Sequence, residues 1–142
     1  MPRNTNRTID TLLQLKDAGA IAASAAAQVG GVDKVVTLGS GRVDAIVQID
    51  VTAMDVVTGD EVYDLYIEGS TSPTFASAVV PLGNMNLGGA TGNQGSAVDL
   101  VGRYEIHFTN ERNGTIYPYV RMYTKVGGTT PSINYVAYIV KK

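Results

Sequence analysis

Between Arg42 and Val56 the side chains alternate with a period of two. Val43, Ala45, Val47, Ile49 and Val51 fall on one face, and Asp44, Gln48, Asp50 and Thr52 on the other, with Ile46 among them. That period belongs to an extended strand. An apolar face opposite a polar one is what a half-buried antiparallel strand shows. Glu61–Glu68 repeats the pattern, with Tyr63, Leu65 and Ile67 opposite Val62, Asp64, Tyr66 and Glu68. In Leu100–Asn110, Tyr104, Ile106 and Phe108 point inward, and Arg103, Glu105, His107 and Thr109 outward. Thr58-Gly59-Asp60 separates the first two strands and predicts that they pair as a hairpin.

The pattern is densest in Thr115–Val140, which holds five of the chain's eight tyrosines. Tyr119, Arg121 and Tyr123 alternate with Val120, Met122 and Thr124, and β-branched residues and tyrosines resume at Ile133. Val-Gly-Gly-Thr-Thr-Pro forces a turn between them, because glycine tolerates positive φ and proline lacks a ladder donor. These two strands are expected to pair as an antiparallel hairpin near the middle of a sheet. Asn113-Gly114, just upstream, is the strongest two-residue hairpin signal in the chain. Lys34–Leu38 reads as a short strand, and Val79–Leu87, which contains a proline, as an edge strand. Gly69–Pro73 is a loop that Phe75 anchors into the core, and Gly88–Ser96 is the most flexible internal stretch.

Ala18–Gln28 is rich in alanine, which favours helix intrinsically. A helix here would bury little, its neighbours are all strand-like, and small residues suit a strand pressed against another subunit. Extended structure is therefore expected. Thr11–Lys16 fits a short strand or one helical turn. Met1–Thr8 has no apolar pattern and reads as a mobile arm, with Arg3 and Arg7 as its charged contacts if it orders against a neighbouring subunit. The division is an arm over residues 1–10 and a domain over 11–142. Seven to nine short strands, with turn signals every 8–15 residues, predict an all-β fold: a two-sheet antiparallel sandwich, of jelly-roll type.

Composition narrows the functional classes. The net charge is −2 and only 17% of residues are charged, so the basic face that nucleic acid requires is not expected. With no cysteine, neither disulfides nor thiolate metal sites hold the fold. No apolar run approaches the ~20 residues of a membrane helix, and the polar N-terminus lacks the apolar core of a secretory signal. A soluble protein made in the cytosol is the expectation.

Three segments together resemble the capsid cement, or decoration, proteins of tailed bacteriophages: KDAGAIAAS at Lys16–Ser24, YIEGSTSPTF at Tyr66–Phe75, and the closing YPYVRMYTKVGGTTPSINYVAYIV. Tyr119, Arg121, Tyr123 and Gly127–Thr129 match that family's closing pattern. The resemblance spans roughly Thr11 to Lys142; Met1–Ile9 and Gly88–Ser96 depart from it. It implies a jelly-roll subunit, usually a homotrimer, on the outer face of an icosahedral head. There it would bridge major capsid proteins in the virion after synthesis in the host cytoplasm.

The residues themselves offer little chemistry. His107 is the only histidine and sits at an outward strand position without placed partners. Neither a Gly-x-Ser-x-Gly elbow nor a phosphate-cradling glycine loop occurs, so no enzyme and no cofactor are expected. Asp55, Asp60, Glu61 and Asp64 surround a turn and are either solvated or an oxygen-ligand ion site. Tyrosine and arginine are favoured interface anchors. Tyr119, Arg121 and Tyr123 are therefore candidates for contact with the capsid or with another subunit, or else solvent-facing residues of an ordinary strand. On that reading Arg121→Ala leaves the fold intact and weakens assembly. The alternative function is a carbohydrate- or receptor-binding module, because tyrosine rings can stack on sugars.

Overall fold

The computed structural model describes residues 11–88 and 101–141. Arg3, Arg7 and the rest of the expected arm lie outside the described residues, as does the glycine-rich stretch beyond Gly88. A 3₁₀ turn, Thr11–Leu13, leads into β1 (Gln14–Lys16), so the first segment holds both of the forms expected of it. The alanine-rich segment is extended: β2 (Ala20–Ile21), β3 (Ala25–Ala26) and β4 (Gln28–Val29), followed by β5 (Val32–Asp33) and β6 (Val36–Thr37). The long strands are β7 (Asp44–Met54), β8 (Val62–Ser70), β9 (Val80–Gly88) and β10 (Gly102–Thr109). A small hairpin of β11 (Glu111–Arg112) and β12 (Thr115–Ile116) precedes β13 (Tyr119–Gly127) and β14 (Ile133–Lys141).

Two antiparallel sheets face each other as a sandwich. The first has the order β1-β14-β7-β10, with β2 also on β14. The second has the order β3-β13-β8-β9, with β6 also on β13. Inward residues follow the alternation in the sequence. Ala45, Val47, Ile49 and Val51 of β7 and Ile106 and Phe108 of β10 meet Tyr63, Leu65 and Ile67 of β8 and Val120 and Met122 of β13, all of them buried. Burying such side chains at roughly 1.5–3 kcal/mol each is the main force that closes the sheets.

The strand pairing corrects two expectations. β7 and β8 do not form a hairpin: β7 pairs with β10 and β14, and β8 with β9 and β13. Nor do β13 and β14 pair with each other; each lies inside a different sheet. Both connections instead cross the roughly 10 Å between sheets, and they cross at the same end. There the Asp60 carboxylate accepts hydrogen bonds from the Thr129 N–H (3.0 Å) and hydroxyl (2.8 Å), fastening one crossover to the other. The Tyr63 hydroxyl joins the same junction by accepting from the Ser132 N–H at 3.0 Å. In the interior, the hydroxyls of Thr124 on β13 and Tyr135 on β14 meet at 2.7 Å, a hydrogen bond across the core.

The Asn113-Gly114 turn forms as expected, with φ of 51° and 79°, the left-handed pair that a type I′ turn requires. β9 is an edge strand, also as expected. Phe75 is buried, but outside the main core cluster, beneath the Arg121 guanidinium, which lies 4.3 Å from its ring centre. The loop is therefore pinned to the outer surface of the second sheet rather than to the interior.

The opposite side of the sandwich is closed by residues 14–38. β1 and β2 cover the free edge of β14, and β3 and β6 cover that of β13. Lys16 sits where this segment leaves the first sheet. Its ammonium is buried and donates to the carbonyls of Asp17 (2.9 Å), Gly19 (2.8 Å) and Tyr135 (2.8 Å). One cation thus satisfies three backbone acceptors and fixes the path of the alanine-rich strap.

Candidate functional site

The three candidate anchors of β13 share the outer face of the second sheet. Their cross-strand partners on β8 are Ser70 for Tyr119, Glu68 for Arg121 and Tyr66 for Tyr123. All three anchors are half-buried. Arg121 is the most constrained, because its Nε lies 2.9 Å from Glu68 Oε2 and both side chains are at most 20% exposed. Its guanidinium also covers the Phe75 ring and lies 5.8 Å from the centre of the Tyr123 ring. An arginine held by a carboxylate and two aromatic faces is preorganised, and it supports its own sheet.

That geometry revises the expectation for Arg121→Ala. The substitution removes a part-buried ion pair and uncovers Phe75, so it should lower the chain's own stability by about 1–2 kcal/mol. A fall in thermal midpoint of several degrees would register this; an unchanged midpoint would mean that the pair contributes nothing to the fold.

The acidic turn is organised around backbone donors. Glu61 is fully enclosed; its carboxylate accepts from the N–H groups of Thr58 (3.0 Å) and Gly59 (2.8 Å). Burial opposes its ionisation, yet its own N–H, the Thr58 N–H and hydroxyl and the Gly59 N–H outweigh that effect, so it ionises below the usual carboxylate range. Asp60 is likewise held low, by the Thr129 N–H and hydroxyl. Asp55 accepts from the Val57 N–H at 3.0 Å. Asp64 lies apart on β8, opposite Lys125 and Asn86. Each of the first three carboxylates therefore shapes the crossover, and no group of three or more acidic or histidine side chains converges as a metal site among the described residues.

His107 is exposed on the outer face of the first sheet, its Nε2 3.7 Å from Glu105 Oε2. Beside it Arg103 pairs with Asp50 at 2.7 Å. Sequence reasoning placed these side chains outward and that is where they are, on a solvated polar face.

The alanine segment, whose small residues suit contact with another subunit, forms an exposed, uncharged edge made by Ala18, Gly19, Ala20, Ala22, Ala23 and Ala25, beyond which Val32 is 69% exposed. Its small side chains leave the backbone open to close approach. Reading the sequence missed a groove of about 450 Å³ over the β9 edge. It is built from residues of four strands, which no local pattern brings together.

No family model, no curated protein and no solved structure matches this chain.

Proposed function

We propose that the chain is a virion structural protein, a capsid cement or decoration subunit. It would sit on the outer surface of an icosahedral phage head and bridge neighbouring major capsid proteins, working as a homotrimer. The observation that carries this reading is the edge of the sandwich between Ala18 and Val32. It is exposed, carries no charge between Asp17 and Asp33, and is built mostly of side chains too small to hold another backbone away. A surface of that kind offers area for adhesion and no group for turnover.

The strand orders β1-β14-β7-β10 and β3-β13-β8-β9, with connections that cross between sheets, favour the jelly-roll form of the sandwich. The motif resemblance of the opening, central and closing segments points the same way.

Adhesion works through area and copy number. A specific patch buries on the order of 800 Å² per partner. Three linked copies turn weak single contacts into tight ones through effective concentration. Arg3 and Arg7 remain the proposed contacts of the arm, and Tyr119 and Tyr123 those of the sheet.

Two measurements test the reading. Light scattering on the purified chain should give three times the 15.0 kDa of one subunit, and the trimer should co-sediment with empty phage heads. Ala22→Glu with Ala23→Glu changes exposed positions only. It should leave the subunit folded while removing both the trimer and head binding. A single 15.0 kDa species that ignores phage heads would sink the proposal. The same measurements without Met1–Ile9 separate the arm's contribution from that of the edge.

A further inference from the structure

At the side of the sandwich away from the alanine edge, β9 and β10 are the outer strands of their sheets. The β11–β12 hairpin follows β10 directly, and the groove of about 450 Å³ lies between it and β9. Tyr66, Asn84, Thr109, Glu111 and Arg112 supply its polar and aromatic walls, with Pro81 between them. Tyr66 and Asn84 are cross-strand partners on one face. An irregularity in register between Ile67 and Glu68 adds a residue to β9 beside them. Such bulges bend an edge and re-aim its side chains.

The edge itself is closed to strand addition at this point. Pro81 has no N–H to donate, and its carbonyl already accepts from Arg112 Nη1 at 3.0 Å. A peptide docking as an extra strand would lack its ladder. What the groove offers instead is side chains. Neither the Tyr66 hydroxyl nor the Asn84 carboxamide hydrogen-bonds with any described residue. Among the described residues Arg112 uses one nitrogen on Pro81 and has further N–H donors to spare, and Glu111 brings a carboxylate 3.9 Å from Arg42.

We propose that this groove is a saccharide-binding site for one uncharged hexose ring of a glycan, with Tyr66 as the stacking surface and Asn84, Glu111 and Arg112 as partners for its hydroxyls. An aromatic face suits the apolar C–H face of a pyranose, and the phenol adds a hydrogen bond at its rim. Planar amide, carboxylate and guanidinium groups present paired donors or acceptors at a spacing that matches adjacent hydroxyls. Glu111 and Arg112 carry opposite charges, so the groove has no excess of either sign. A phosphate or uronate would meet Glu111, whereas a neutral ring can give a proton to the carboxylate and accept one from the guanidinium. The site stands on geometry separate from the alanine edge and does not depend on adhesion to a shell.

The test is an NMR titration of the isotope-labelled full chain with glucose, galactose, mannose and N-acetylglucosamine, each also as a short oligosaccharide, and with glucuronic acid and sialic acid. At least one neutral sugar should shift the amide signals of Asn84, Glu111 and Arg112, with millimolar or tighter affinity. Asn84 is exposed, so Asn84→Ala should fold normally and weaken binding roughly three- to tenfold. Tyr66→Ala should remove binding and Tyr66→Phe should keep most of it, with thermal melts confirming that both are folded. The proposal is overturned if no neutral sugar moves those amides, if the acidic sugars bind better than the neutral ones, or if both Asn84→Ala and Tyr66→Ala bind as the parent does. Asn84 lies neither on the alanine edge nor beside Tyr119 or Tyr123, so Asn84→Ala should keep trimer formation and head binding, and failure here leaves the adhesive reading to its own test.

Discussion

Gly128→Ala is expected to cost about 3–5 kcal/mol, a large share of the stability of a domain this size. Gly128 has φ of 94°, in the left-handed region, where a side chain adds about 1–2 kcal/mol. The larger part is steric. A Cβ at this position would stand 2.7 Å from the Asp60 carbonyl carbon and 2.7 Å from the Glu61 Cα, and closer still to the Asp60 carbonyl oxygen. All three are backbone atoms of the other crossover, so no side chain can rotate away. Urea unfolding should show the midpoint falling by about 2 M. Gly114→Ala is the control: its φ is 79° and no atom of the described residues lies within 4 Å of an added Cβ, so only the conformational cost applies. If the two variants lose the same stability, the two crossovers do not press together as described.

The same junction shows what could be read from the sequence and what could not. Strand faces were legible, because each depends only on its own alternation. Val43 through Val51 and Tyr63 through Ile67 turn their predicted sides to the core. The extended alanine segment was legible because a helix of alanines would have had nothing to bury. Pairing was not legible, since Thr58-Gly59-Asp60 and Gly127-Gly128 announce a turn without saying whether the chain returns in its own sheet or crosses to the other. Asn113-Gly114 carries the two-residue geometry that settles the matter locally, and so does Gly30-Gly31 between β4 and β5, with φ of 63° and 79°.

The outer-face candidates divide along the same line. That Tyr119, Arg121 and Tyr123 share a face follows from spacing alone. That Arg121 is taken up by Glu68 and Phe75 depends on β8 lying beside β13 and on the loop folding back, and neither fact is local. The Tyr66–Arg112 groove was the least legible of all, because it exists only once the β9 edge and the β11–β12 hairpin are neighbours.

Stability should fall steeply once the pH passes about 10, the ordinary value for tyrosine. Tyr135 is buried and hydrogen-bonded to Thr124, and burial raises its hydroxyl's ionisation far beyond that value despite the Thr124 contact. Above pH 10 the unfolded chain has lost this proton while the folded chain still holds it. The unfolded state then binds fewer protons, and stability drops by about 1.4 kcal/mol for each further pH unit. Tyr63 moves in the same direction: burial raises it, the Ser132 contact opposes, and the Asp55 and Glu61 charges reinforce the rise. Lys16 acts with the opposite sign and in a lower window. Burial lowers its ammonium's ionisation below the ordinary 10.5, more than the nearby Asp17 charge raises it. The unfolded chain therefore binds the extra proton, and stability climbs as pH approaches 10.5 from below. The two effects together predict a rise followed by a sharp fall. In urea titrations at a series of alkaline pH values, Tyr135→Phe should flatten the fall by about 1.4 kcal/mol per unit. It should also cost about 1–2 kcal/mol at neutral pH, where Thr124 loses its partner. Thr124→Val alone should show the neutral cost and keep the steep alkaline fall, because the Tyr135 proton remains buried. An alkaline slope that Tyr135→Phe leaves unchanged would mean that this hydroxyl is not enclosed between the sheets.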